Sequence, residues 1–306
     1  MSTQTATGMA TASEKERVTL RRRLALRGLD GTTLLALPAV LFLLAIFVYP
    51  FLYGLWLSFS PKDGGAFGNY VKFFSDPFLY DTIWTTLWLA LPVTAISVLV
   101  AVPIAMRMRL LTRQRLLTTI LVLPVTLGTV LVAQGLLNYL GPQGWFSRIL
   151  MLLHIIKTPA RLTHNYWGVF SSLLITGFPF TFLLTLSYVT GIDPALEQAA
   201  ATHGASAWQR FRYVFLPLLV PGLAIAFLLS FVQNFAVFPS AVLLGAPAGP
   251  TRVISIAAYQ AAFEQYDYSM ASAVAMIMAA VQLIVVVIVM AARGLFYRGS
   301  TAGGKG

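Results

Sequence analysis

Side chains able to do chemistry are sparse in this chain, and few of them cluster. Cysteine is absent, which removes a thiolate nucleophile, a thiolate metal site and a disulfide framework. The histidines, His154, His164 and His203, have no metal-ligand spacing. The run from Gly299 to Gly306 nearly spells a phosphate-binding loop. Gly306 stands where a magnesium-binding hydroxyl is needed, however, and no strand precedes the run. The chain is therefore expected to bind no nucleotide, metal or other cofactor, and to be no enzyme. What remains are uncharged polar residues set in apolar runs. Gln134 and Asn138 stand four apart, on one face of a helix. Gln233 and Asn234 are neighbours. Such amides suit contact with a polar solute, or they join adjacent helices by hydrogen bonds. Thr126, Thr176 and Gln282 offer the same choice less strongly.

The elements that hold these residues follow from composition. Of 306 residues, 58% are hydrophobic and only 10% charged. A soluble domain carries about 25% charged residues, so a soluble enzyme is excluded, and disorder is excluded by the same excess. Six windows are long and apolar enough to cross a bilayer, at about 32–58, 82–106, 116–140, 166–190, 216–243 and 269–292. None contains Asp, Glu, Lys, Arg or His. The expected fold class is an all-α polytopic membrane protein. The first window exceeds a cleavable signal's apolar core and has no cleavage site after it. Residues 1–31 read as a polar, basic tail, disordered in part, and 293–306 as a flexible tail. Trp145 to Ile156 is apolar but too short to span, and is expected on the membrane surface or between helices. Pro124, Pro179 and Pro239 interrupt spans and are expected to kink them.

Charge placement gives orientation. The termini and the second-to-third and fourth-to-fifth connections hold 15 basic residues, against six on the other side, while the acids divide five and five. Basic loops stay in the cytoplasm, so both termini are expected there. The +11 net charge is thus an orientation signal and not a nucleic-acid patch, whose charges would form a stripe. On the external side, Arg252, Glu264 and Asp267 are candidates for docking a partner.

The fourth-to-fifth connection, 191–217, is different in kind. Asp193 and Pro194 open a helix as cap and first residue. An alanine-rich run follows, and Gly204 can end it in a left-handed conformation. Ser206 and Gln209 have capping-box spacing, and Trp208, Phe211 and Phe215 then share a face. Alanines anchor a helix poorly in lipid, whereas a smooth small-residue helix suits a groove on another protein. This stretch resembles the EAA motif of binding-protein-dependent ABC transporter permeases: Ala199 and Ala200, Gly204, Val214 and Leu216-Pro217 fall at its spacing. The motif glutamate falls on Gln198, with Glu197 one place earlier. The resemblance extends over about 80–295. Phe47-Val48-Tyr49-Pro50, Gly68-Asn69-Tyr70 and Phe73 to Pro77 look like the spermidine/putrescine type of permease.

The resemblance implies a type I ABC importer permease of MetI-like architecture in a bacterial cytoplasmic (inner) membrane. Its partners would be a second homologous permease, two ABC ATPase subunits that bind ATP and Mg, an extracytoplasmic solute-binding protein and the lipid bilayer. Ala199, Ala200, Gly204 and Ala205 would contact the ATPase, with Glu197, Gln198 and Arg210 at the rim. Gln134, Asn138, Gln233 and Asn234 would line a pathway for a polyamine-like or other small organic solute, with sugar as the alternative. An ion-coupled carrier usually has ionisable groups within its spans, and these windows have none.

Overall fold

In the computed structural model, residues 31–111, 113–159 and 161–296 are described. Of the expected tails (1–31 and 293–306), residues 1–30 and 297–306, with the Gly299–Gly306 run, lie outside them, while 293–296 continue the last long helix. Two units meet between Trp56 and Leu57. The first contains α1 (Gly31–Leu43), a π-helical turn (Leu44–Val48) and the start of α2 (Tyr49–Ser58). Tyr49, Tyr53 and Trp56 form an aromatic ladder there, with centroids 6.4 and 5.9 Å apart, as at a membrane–water boundary.

The second unit contains α3 (Gly68–Ser75), α4 (Pro77–Met108), α5 (Gln114–Leu140), α6 (Trp145–Leu152) and α7 (Tyr166–Thr190). Then come α8 (Pro194–Thr202), α9 (Ala207–Arg210), α10 (Leu216–Phe235), α11 (Pro239–Leu244), α12 (Ile254–Tyr259) and α13 (Tyr268–Phe296). Among the described residues there is no strand, and six helices are long and apolar enough to cross a membrane.

The packing is that of a protein in lipid. Large apolar side chains face outward, Leu99 at 72% and Leu283 at 63% exposure. Hydroxyls face inward: Thr86, Thr94, Ser97, Ser172, Thr181 and Thr185 are fully buried. Lipid gives no hydrophobic reward for hiding leucine, so small residues and interhelical hydrogen bonds hold such bundles. Helix α7 lies along α4 and α5, and α10 packs on both α4 and α7. Thr181 donates to Ser230 at 2.7 Å, Ser172 pairs with Ser240 at 2.9 Å, and Asn234 donates to Thr94 at 3.0 Å. Gly177 makes room for that amide, since a Cβ there would stand 2.7 Å from Asn234 Oδ1.

Several element ends differ from expectation. The helix opening at Leu216 stops at Phe235, and Pro239 begins a new helix instead of kinking the old one. A proline has no N–H for an interior helical bond but fits a first turn. Asp76 caps α4, its Oδ1 accepting from Phe78 N at 2.9 Å, and so starts that helix at Pro77. Four residues after Pro124, Gly128 leaves helical geometry at φ 75° and ψ 159° and breaks α5. Pro179 sits inside α7, which continues past it. The Trp145–Ile156 stretch is helical as far as Leu152, with Trp145 and Leu152 exposed.

Candidate functional site

The connection between α7 and α10 is built by local rules. Asp193 Oδ1 accepts from Ala195 N at 2.8 Å and opens α8. Gly204 closes it at φ +79°. Gly204 N donates to Ala201 O at 3.0 Å and Ala205 N to Ala200 O at 3.1 Å, the bond pair of a Schellman ending. A full capping box follows: Ser206 N donates to Gln209 Oε1 at 2.8 Å and Gln209 N to Ser206 Oγ at 3.3 Å. A π-helical turn, Phe211–Phe215, joins α9 to α10. Trp208, Phe211 and Phe215 form a ring ladder with spacings of 5.6 and 6.2 Å. Phe215 is its buried end and Trp208 its exposed end.

Gln198, Ala199 and Gly204 are exposed, and Ala200, Ala205 and Arg210 half-buried. Among the described residues, nothing beyond its chain neighbours lies within 4 Å of where a Gly204 Cβ would be. Glu197 does not stand free at a rim. Arg109 Nη2 donates to both its carboxylate oxygens, at 2.8 and 2.6 Å, and the guanidinium carbon lies 4.8 Å from the Phe215 ring centroid. Arg107, Arg109, Arg210 and Glu197 border an open cavity of about 500 Å³ at this end. Arg210 Nε is buried there without a hydrogen-bond partner among the described residues.

The four amides separate. Gln134, Asn138 and Gln233 are exposed, and Asn234 is 2% exposed and tied to Thr94. Asn234 therefore ties α10 to α4. Thr126 and Thr176 bond back to their own helices, and Gln282 reaches Val232 O at 3.4 Å.

At the opposite end Arg252 and Asp267 have partners within the chain. Arg252 is 5% exposed. It donates to Phe78 O at 2.8 Å and through Nε and Nη2 to Gln260 Oε1, and it lies 3.8 Å over the Phe78 ring. Burial lowers its pKa, and Asp76 and Glu264 partly offset this. Asp267 is held by Met270 N at 3.0 Å and lies 3.9 Å from Lys62, so Glu264 alone of the three is exposed. Asn69 was missed by sequence reasoning as a structural residue. Its Nδ2 donates to Ser58 O at 3.0 Å and Ser269 Oγ at 2.7 Å, and Ser269 Oγ lies 2.9 Å from Leu57 O and 2.6 Å from Ser60 O.

The pattern of the family described as binding-protein-dependent transport system inner membrane component matches residues 111–299, more than half of the chain. The chain belongs to that family. Among relatives of this inner membrane component is the inner membrane ABC transporter permease protein YcjO of Escherichia coli K12. It is 27% identical over 268 residues, covering 80% of this chain and 88% of the relative. The spermidine/putrescine transport system permease protein PotB of Haemophilus influenzae is 30% identical over 218 residues, covering 68% and 76%. A bacterial alginate ABC transporter, solved with an alginate pentasaccharide-bound periplasmic protein, has a chain of the same fold. Its TM-score is 0.77 at 25% identity, covering 93% of this inner membrane component and 100% of that chain. The permease fold expected from the resemblance is the one observed.

Proposed function

We propose that this permease is one half of the pathway of an ATP-driven importer, with a second homologous permease as the other half. Two ATPase subunits bind ATP and Mg²⁺ and dock on the α8 loop, and an extracytoplasmic binding protein delivers the solute. Closure of the ATPases on ATP is carried through the docked loop to the helices, which alternate between outward and inward access. The chain itself does no covalent chemistry. Both termini lie in the cytoplasm, a reading supported by the 15-to-six basic asymmetry.

The observation that carries this reading is α8 with its Schellman ending: an exposed small-residue helix, locally self-supporting, at the basic end of the bundle. Gly204 tests it. Gly204→Glu is expected to insert normally and to lose the ATPase subunits on co-purification. Gly204→Asn keeps the left-handed turn, which asparagine tolerates, and weakens association through its bulk. A Gly204→Glu permease that retains its full ATPase complement would refute the docking assignment.

For the solute, a saccharide-like neutral polar molecule fits best. The exposed candidates on the spans are the uncharged amides of Gln134, Asn138 and Gln233. The fold likeness to the alginate transporter chain supports a saccharide, although alginate itself is an acidic one. A polyamine is the second reading, favoured by the likeness to PotB and by the Gly68-Asn69-Tyr70 stretch. The charge-free windows offer a polycation no carboxylate. Calorimetry on the partner binding protein decides: affinity for oligosaccharides and none for spermidine is expected, and the reverse overturns the saccharide reading.

A further inference from the structure

In the motif of this family a glutamate stands where this chain has Gln198. The carboxylate is one residue earlier, at Glu197. One residue on a helix turns a side chain by about 100°. Gln198 consequently faces out, and Glu197 is turned back onto Arg109.

Arg109 closes the end of α4, its N–H donating to Ala105 O at 3.0 Å. Glu197 belongs to the first turn of α8. Helix α8 packs against the Ala207–Phe215 segment and reaches the end of α4 through this ion pair. The pair differs from an ordinary surface contact. Side-chain exposure is 12% for Arg109 and 22% for Glu197, and the guanidinium rests on Phe215, a fully buried ring. Exposed ion pairs contribute little. A sheltered pair with a cation on an aromatic face resists separation, because either partner alone would be a poorly solvated charge. The other ion pair among the described residues, Lys62 with Asp267, is looser at 3.9 Å, with Lys62 58% exposed.

We propose that the Arg109–Glu197 pair, seated on Phe215, is the link that makes the coupling helix α8 and the end of α4 move as one body. Helix α4 in turn packs on α7 and α10. The displaced carboxylate thus serves transmission within the permease, not contact with the ATPase. Arg109 and Glu197 are positioning residues, and the inference rests on the docking role of α8 proposed above.

The test uses the complete transporter in proteoliposomes with loaded binding protein. Glu197→Gln should keep the ATPase subunits at their normal ratio. Solute imported per ATP hydrolysed should fall about fivefold or more, the lower end of common inter-site coupling. An unchanged ratio overturns the link, and so does loss of the ATPase subunits, which would make Glu197 a docking residue. Because the chain has no cysteine, spin labels at Leu110→Cys and Ala201→Cys report on the same link directly. Their separation should stay single-valued through ATP turnover and become broad or split in Glu197→Gln. A separation that already changes with nucleotide in the parent protein overturns the proposal. If Gly204→Glu keeps its ATPases, the docking reading falls. If Gly204→Glu loses them while Glu197→Gln imports normally, only the link falls.

Discussion

Gln233 and Asn234 are neighbours with opposite surroundings, and this sets what their substitution does. Asn234 is sealed between Thr94 and the bare backbone at Gly177. Asn234→Ala should lower stability by about 0.6–2 kcal/mol, the range for interhelical hydrogen bonds in bilayers, without changing which solute is carried. Gln233→Ala should leave the melting temperature alone and reduce uptake about fivefold, the weight of one ordinary hydrogen bond. Thermal melts in detergent and uptake in vesicles check both. A stability loss at Gln233 with none at Asn234 would reverse the assignment. Sequence spacing had paired them, because adjacency says nothing about facing. Arg252 teaches the same lesson: its charge suggested a docking surface, but its partners Phe78 and Gln260 make it an internal tie.

At the scale of elements, the α4–α7–α10 seam is closely packed around Asn234. Gly177→Ala would bring a methyl to within 2.7 Å of Asn234 Oδ1. The expected cost is about 1–3 kcal/mol, as for other overpacked cores. Asn234→Ala in the same chain should recover part of it, and a double-mutant cycle by denaturation measures that coupling. Additive losses would mean that the two do not meet. Much of the architecture was legible beforehand. Charge-free windows mark spans because lipid excludes charge, and the caps of α8 and α9 lie within a few residues of what they cap. The seam was not legible, since Thr94 and Asn234 are 140 residues apart and buried hydroxyls look like any others. The Arg109–Glu197 pair, 88 residues apart, was hidden likewise. The early end of α10 was missed because Ala236 to Phe238 is as apolar as the helix before it, and only Pro239 hinted at the break.

For the whole molecule, exposed leucines and buried threonines make lipid the only solvent that suits both. Orientation then has a direct test, helped by the lack of cysteine. An impermeant maleimide should label Asp63→Cys in intact cells, and Arg113→Cys only after the membrane is opened. Both positions are exposed, and the opposite pattern would invert the topology.

The Asn69 amide has a consequence for how such a chain is made. Its partners are Ser58, early in the chain, and Ser269, at the mouth of the last long helix. Five spans can enter the membrane while this knot is still open, since Ser269 is made 200 residues after Asn69. The nascent permease therefore has only the Ser58 carbonyl for this amide until α13 arrives. Arrival of α13 is what fastens the beginning of the second unit to its last long helix, and a chain cut short before Ser269 lacks the closing piece.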